Sequence, residues 1–99
     1  MSHKVRYTRA AKEDLKRLFA FLADKDIAAA KHARETIAAS MQVLEQFPFT
    51  CRKAASDNIY LRELLIPFGV AGYVALFEIE DNETVTVVAV RHQREEDYH

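Results

Sequence analysis

The residues best suited to chemistry stand at the end of this chain: Arg91-His92-Gln93-Arg94-Glu95-Glu96-Asp97-Tyr98-His99. They follow directly on Val85-Thr86-Val87-Val88-Ala89-Val90, an apolar run that reads as a buried strand. A strand ending there delivers two arginines, two histidines and a tyrosine to one rim of a small domain. Histidine is the usual proton-transfer group near neutral pH. With tyrosine and arginine beside it, His92 suits cleavage of a phosphodiester. A base takes the 2′-hydroxyl proton, guanidinium groups stabilise the transition-state charge, and an acid protonates the leaving oxygen. The plainer outcome, and the commoner one, is that Tyr98 and His99 pack as a tail and His92 only closes the strand.

Arg62 is the other arginine placed to act. It sits mid-strand, just before the Leu64-Leu65-Ile66 run. In a meander of strands Arg62 can lie near Arg91 and Arg94. Converging guanidinium forks suit a phosphate or a carboxylate. Salt bridges to Glu63, Glu78 or the acidic tail are the structural alternative. Arg52 and Lys53 could join a local basic patch, and both could lower the pKa of Cys51 beside them; an inert thiol is the commoner case. His3 and His32 look incidental, with His32 exposed among Lys31 and Arg34. No metal is expected, because His92 and His99 lack a supporting cysteine or carboxylate pattern. Nor is there a glycine-rich phosphate loop or a nucleophile motif, and no cofactor is expected.

Several elements must position these side chains. Lys4 to Thr8 alternates and reads as a short strand, with Thr8 as N-cap of a helix over about Arg9 to Ala23. Leu15, Leu18, Phe19 and Leu22 fall on its apolar side. Asp26 can cap a second, alanine-rich helix whose stripe reads Ile27, Ala30, Ala33, Ile37, Met41 and Leu44, closed by Pro48. The short break between the two predicts an antiparallel helix hairpin. Phe49 to Asn58 reads as a loop. Strands follow at Ile59–Ile66, Gly72–Glu80 and Thr84–Val90, with Pro67-Phe68-Gly69 and Asp81-Asn82-Glu83 as turns. The result is a β-α-α-β-β-β order, an α+β two-layer domain with a helix hairpin packed on an antiparallel sheet.

Bulk properties agree. The 99 residues fit one domain, 1–99, with 49% hydrophobic and 29% charged residues, as in an ordinary globular protein. The net charge of −1 gives no global signature of nucleic-acid binding. The single cysteine excludes an intrachain disulfide and fits a reducing compartment. No apolar leader and no membrane-spanning run is visible, so a cytoplasmic location is expected. One feature is in excess. Phe19, Phe21 and Leu22 occupy more than one helix face, and both faces of the Leu61–Ile66 strand are apolar. A partner helix in a groove, or a partner strand at a sheet edge, would account for that.

Taken together, the chain resembles the ParE/RelE superfamily of toxins from type II toxin–antitoxin modules, also called plasmid-stabilisation proteins. The resemblance is carried by Val5-Arg6-Tyr7-Thr8-Arg9-Ala10-Ala11-Lys12-Glu13-Asp14-Leu15, by the hairpin ending Leu44-Glu45-Gln46-Phe47-Pro48, by Leu61-Arg62-Glu63-Leu64, by Gly72-Tyr73-Val74-Ala75-Leu76-Phe77 and by Val87-Val88-Ala89-Val90-Arg91-His92-Gln93-Arg94-Glu95. It spans nearly the full length, and its order and spacing are more specific than any one piece. The long hairpin and the opening residues look closer to the ParE branch. That resemblance implies a toxin that inhibits DNA gyrase by binding, with Arg62, Arg91 and Arg94 as target contacts and no catalytic residue. The alternative is a RelE-like, ribosome-dependent mRNA endoribonuclease using Arg62, Arg91, His92 and Tyr98. That branch is strongly basic, unlike this chain, and the spacing of Tyr98 and His99 from the strand differs from its pattern. A third reading is a non-toxic relic that only binds a regulator. The superfamily also implies a cognate ParD-like antitoxin in a hetero-oligomer, wrapping the toxin at Leu18, Phe19, Phe21, Leu22 and Leu64.

Overall fold

A computed structural model describes residues 2–54, 57–69 and 71–93. The chain runs β1 (Lys4–Tyr7), α1 (Arg9–Lys25), α2 (Ile27–Gln46), a 3-10 turn (Pro48–Thr50), β2 (Arg52–Lys53), β3 (Leu61–Phe68), β4 (Ala71–Ile79) and β5 (Thr84–His92). The strands form one sheet in the order β1-β5-β4-β3-β2. β2 to β5 are antiparallel neighbours, whereas β1 pairs parallel with β5. The α+β two-layer reading therefore holds, and the sheet is mixed at its first edge. A parallel pair needs a long crossover, and no local turn signal announces it.

The helix caps follow the residue chemistry. Thr8 accepts the Ala11 N–H at 3.1 Å through its hydroxyl, satisfying one of the orphan donors of a helix start. Asp26 alone joins the two helices. Its N–H closes α1 on the Leu22 carbonyl at 2.7 Å, and its carboxylate opens α2 by accepting the Ala29 N–H at 3.2 Å. A one-residue link forces the helices to pack as neighbours.

The core lies between the hairpin and one face of the sheet. Ala11 and Leu18 of α1 and Ala33, Ile37, Met41 and Leu44 of α2 meet Leu64, Ile66, Tyr73, Ala75, Phe77, Ile79, Val85, Val87 and Val90. Alternation sends Leu61, Glu63, Leu65, Val74 and Arg91 to the other face, which no helix covers among the described residues.

Three local readings change. Arg52–Lys53, inside the predicted loop, forms a short edge strand against Glu63 and Arg62. Pro67 and Phe68, predicted as a turn, belong to β3 and pair with Gly72 and Ala71. Pro67 is tolerated because β2 pairs β3 only at its start, so no ladder N–H is needed on that side. The turn falls instead at Gly69, whose φ of 64° is left-handed. Gly72 has φ 145°, and a Cβ there would collide with the Ile66 carbonyl. Lastly, α1 runs on to Lys25, and no residue from Phe19 to His32 is buried. Ile27, placed by periodicity on the inner stripe, is 77% exposed.

Candidate functional site

Arg62 and Arg91 do not converge. Arg62 shares parity with Leu64 and Ile66, so it lies on the helix side of β3. There its Nη1 donates to the carbonyls of Cys51 at 2.8 Å and Phe49 at 3.2 Å. Its guanidinium also sits 5.5 Å from the Phe49 ring centroid, a cation–π distance. Arg62 thus holds the segment between Phe49 and Cys51 against the sheet. Arg91 pairs with Val74, which pairs with Leu65. It therefore lies two strands away from Arg62, further along the sheet, and on the opposite face. Its Nη1 donates to the carbonyls of His92 at 3.3 Å and Gln93 at 3.4 Å, bracing the strand end.

His92 turns to the helix side. Its ring meets Tyr73 edge-on at 5.6 Å, Tyr73 meets Phe68 at 5.8 Å, and Phe68 meets His32 at 5.4 Å. This aromatic row runs from α2 across β3 and β4 to β5. His32 is exposed, as the sequence suggests, but it packs on Phe68. His3 is half-buried and ties the start of the chain to the end of α2, its backbone N–H donating to the Glu45 carbonyl at 2.6 Å. Arg94, Tyr98 and His99 lie outside the described residues.

Of the expected basic patch, Lys53 stands opposite Arg62 across β2 and β3, whereas Arg91 lies apart from them and Arg94 is outside the described residues. Arg52 pairs with Glu63 at 2.9 Å on the open face, opposite to the Arg62 side. Burial pushes the Cys51 thiol above its ordinary value of 9.0, and Arg62 opposes that rise only in part. The neighbours Arg52 and Lys53 are not what acts on it. Among the described residues no group of three metal-ligating side chains occurs, and no helix is long and apolar enough to cross a membrane.

The residues expected to meet a partner fall into two sets. Leu18 and Leu64 are 6% and 8% exposed and already packed in the core. Phe19 and Leu22 are half-buried against its margin, and Phe21 is 62% exposed. Phe19 lines a groove of about 430 Å3 at the hairpin tip, together with Ala23, Ile27, Ala30, Lys31 and Arg34. Sequence periodicity could not expose this site, because it marks which residues are apolar and not where the sheet beneath them stops.

Two residues were missed. Asp14 is buried and accepts the Val90 N–H at 2.9 Å. The Thr8 hydroxyl, predicted only as a cap, also donates to the Val88 carbonyl at 3.2 Å. Both act on β5 where β1 no longer covers it. A charged residue at helical core spacing, as Asp14 is between Ala11 and Leu18, was the available signal.

A helix hairpin packed on a mixed five-stranded sheet is the α+β architecture of the ParE/RelE-like fold. A family model described as the ParE toxin of the type II toxin–antitoxin system, parDE, matches residues 5–97, and the chain belongs to that family. Among solved structures it is similar to a chain of the chromosomal ParDE toxin–antitoxin system of P. aeruginosa. The TM-score is 0.73 at 16% identity, covering 92% of this chain and 96% of that one. It is also similar to a chain of the RelBE2 toxin–antitoxin complex of Mycobacterium tuberculosis, with a TM-score of 0.57 at 21% identity, covering 93% and 99%. At these identities the structural likeness speaks for the fold alone. No curated protein sequence matches the chain at a significant level.

Proposed function

We propose that this ParE-family toxin acts in the cytoplasm by binding DNA gyrase and blocking replication, and that a co-encoded ParD-like antitoxin neutralises it. The observation that carries the choice of mechanism is the separation of Arg62 and Arg91 on opposite sheet faces, each bonded to backbone carbonyls. Cleaving a phosphodiester needs a base, an acid and cations around one reacting phosphorus. The described residues offer no such grouping, which favours inhibition by binding. Exposed Phe21 and Ile27 on the helix hairpin support an antitoxin partner that covers them. In this reading Arg91 and Arg94 contact the target, and Phe19, Phe21 and Leu22 meet the antitoxin.

The test is induction in cells that lack the antitoxin. Gyrase inhibition predicts filamentation, a DNA-damage response and altered plasmid topology while messages stay intact. Rapid codon-positioned mRNA cleavage would replace this mechanism with the RelE-like one, and the absence of any growth defect would leave a relic that only binds its regulator.

A further inference from the structure

The end of α2 and the turn after it carry apolar surface that the core does not use. Phe47, Phe49 and Tyr60 are 63%, 54% and 50% exposed. Val43, also exposed, lies one helical turn before Phe47 and accepts its N–H. These residues form one strip. Phe47 and Phe49 flank Pro48, which is buried, so the 3-10 turn leaves a ring exposed on either side of it. Thr50 braces that turn, its hydroxyl and its N–H both donating to the Phe47 carbonyl, at 2.7 and 3.1 Å. The Arg62 guanidinium stands over the Phe49 ring, and Tyr60 precedes Arg62 by two residues, on the same side of the chain entering β3. The strip has two ends of opposite charge. Glu45 lies over β1, the first strand of the sheet, where its carbonyl accepts the His3 N–H. Lys53 lies in β2, the last strand, opposite Arg62. Both residues are exposed, and among the described residues neither is held in an ion pair.

We propose that two copies of this chain pair through this strip, with the phenylalanines at the centre of a two-fold contact and Glu45–Lys53 pairs at its ends. A two-fold axis through the aromatic middle turns the strip end for end. Each Glu45 then meets Lys53 of the other copy, so the surface is complementary to itself. A partner segment of one charge would match one end and be repelled at the other. The rings are already held by the turn and by Arg62, so they lose little freedom on contact. A fully buried aromatic side chain covers about 150–250 Å2, so three half-exposed rings supply about 300 Å2 per copy. An exposed patch of that size is often functional. The pair then buries about 600 Å2 before its rim is counted, and contacts below about 1,200 Å2 are weak and reversible. The expected state is therefore a dimer in exchange with monomer. The twenty residues of α2 place the strip about 30 Å from Ile27. Pairing thus leaves Phe21 and Ile27 open, and it does not depend on the antitoxin reading.

Sedimentation velocity of the full chain, from dilute to millimolar, should show monomer passing into dimer and nothing larger. Phe47→Ser leaves the Arg62–Phe49 contact in place and should weaken pairing about tenfold. Glu45→Lys and Lys53→Glu should each weaken it by about the same factor, because each sets like charges together at both ends. Mixed in equal amounts, those two variants should associate as tightly as the wild type. One copy then carries two acids and the other two bases, so both ends of the mixed dimer are again opposite in charge. Recovery in the mixture also shows that neither charge variant had lost its fold, and thermal melting checks Phe47→Ser. A wild type that stays monomeric throughout, pairing unchanged by Phe47→Ser, or a mixture no tighter than its components would overturn the proposal. So would assembly beyond the dimer, which a closed two-fold contact forbids. If the wild type stays monomeric and Phe47→Ser instead escapes neutralisation by the co-encoded antitoxin, the strip belongs to the antitoxin and the dimer is refuted.

Discussion

Asp14 shows how one side chain can settle the docking of a whole element. It projects from α1 into the core and accepts the Val90 N–H of β5, while Arg17 stands 3.9 Å from its other oxygen. A buried strand N–H without an acceptor costs about 1–3 kcal/mol, so Asp14→Ala should destabilise the protein by that amount. Asp14→Asn keeps a carbonyl acceptor and should lose less. Urea unfolding of the three proteins checks both, and a loss no larger for Ala than for Asn would show that the bond is not what Asp14 contributes. Arg62 is the contrasting case. Its type and strand position suggested a phosphate ligand, yet its Nη1 donates to the Phe49 and Cys51 carbonyls. Sequence gives the donor inventory of an arginine. Which acceptors surround it depends on a 3-10 turn and an edge strand that carry almost no local signal.

At the scale of elements, the weak point of the sheet is the free length of β5. β1 covers it only from Thr84 to Val87, and beyond that a row of backbone groups faces outward, an invitation to unwanted pairing. The chain turns into α1 at this point. The Thr8 N–H bonds the Val87 carbonyl at 3.0 Å, its hydroxyl bonds the Val88 carbonyl, and Asp14 takes the Val90 N–H. The register shift beside Leu76 and Phe77 leaves Val88 as the extra residue there, as at a β-bulge. Thr8→Val removes both the helix cap and the Val88 bond at constant shape, and should cost about 1–2 kcal/mol. Hydrogen exchange should then quicken at the start of α1 first; uniform quickening across the sheet would point to a general loss of packing instead. The helices, their caps and the three long strands were legible because apolar period and capping residues are local. The parallel pairing of β1, the β2 edge and the facing of Arg62 and Arg91 were not, since they depend on register between distant segments. The expectation that Ile27 lies in the inner stripe misled for a related reason: the apolar stripe of α2 starts at Ile27, but its buried part starts only at Ala33.

For the whole molecule, the titrating groups that the fold perturbs among the described residues all favour their protonated forms, which shapes how stability varies with pH. Burial raises the Cys51 thiol above 9.0, with Arg62 in opposition. Burial raises Tyr7 above 10.0, reinforced by Glu45, and burial alone raises Tyr73 above the same value. In each case the folded protein holds a proton that the unfolded chain gives up earlier. The unfolded state therefore binds fewer protons at alkaline pH, and stability must fall as pH rises. The contribution is intact below about pH 9, declines first through Cys51, then more steeply above about pH 10 as the two tyrosines join. Acidification should not reproduce it, because these groups are protonated in both states there. Guanidinium unfolding midpoints from pH 7 to 11 should trace this fall, and tyrosinate absorbance should lag behind that of the denatured chain. Cys51→Ala should delay its onset, and Tyr7→Phe with Tyr73→Phe should flatten its upper part. Lysine deprotonation is common to all the variants and cancels in the comparison. If the double phenylalanine variant lost stability as steeply as the wild type above pH 10, the two phenols would not be its source, and the decline would belong to the surface charges instead.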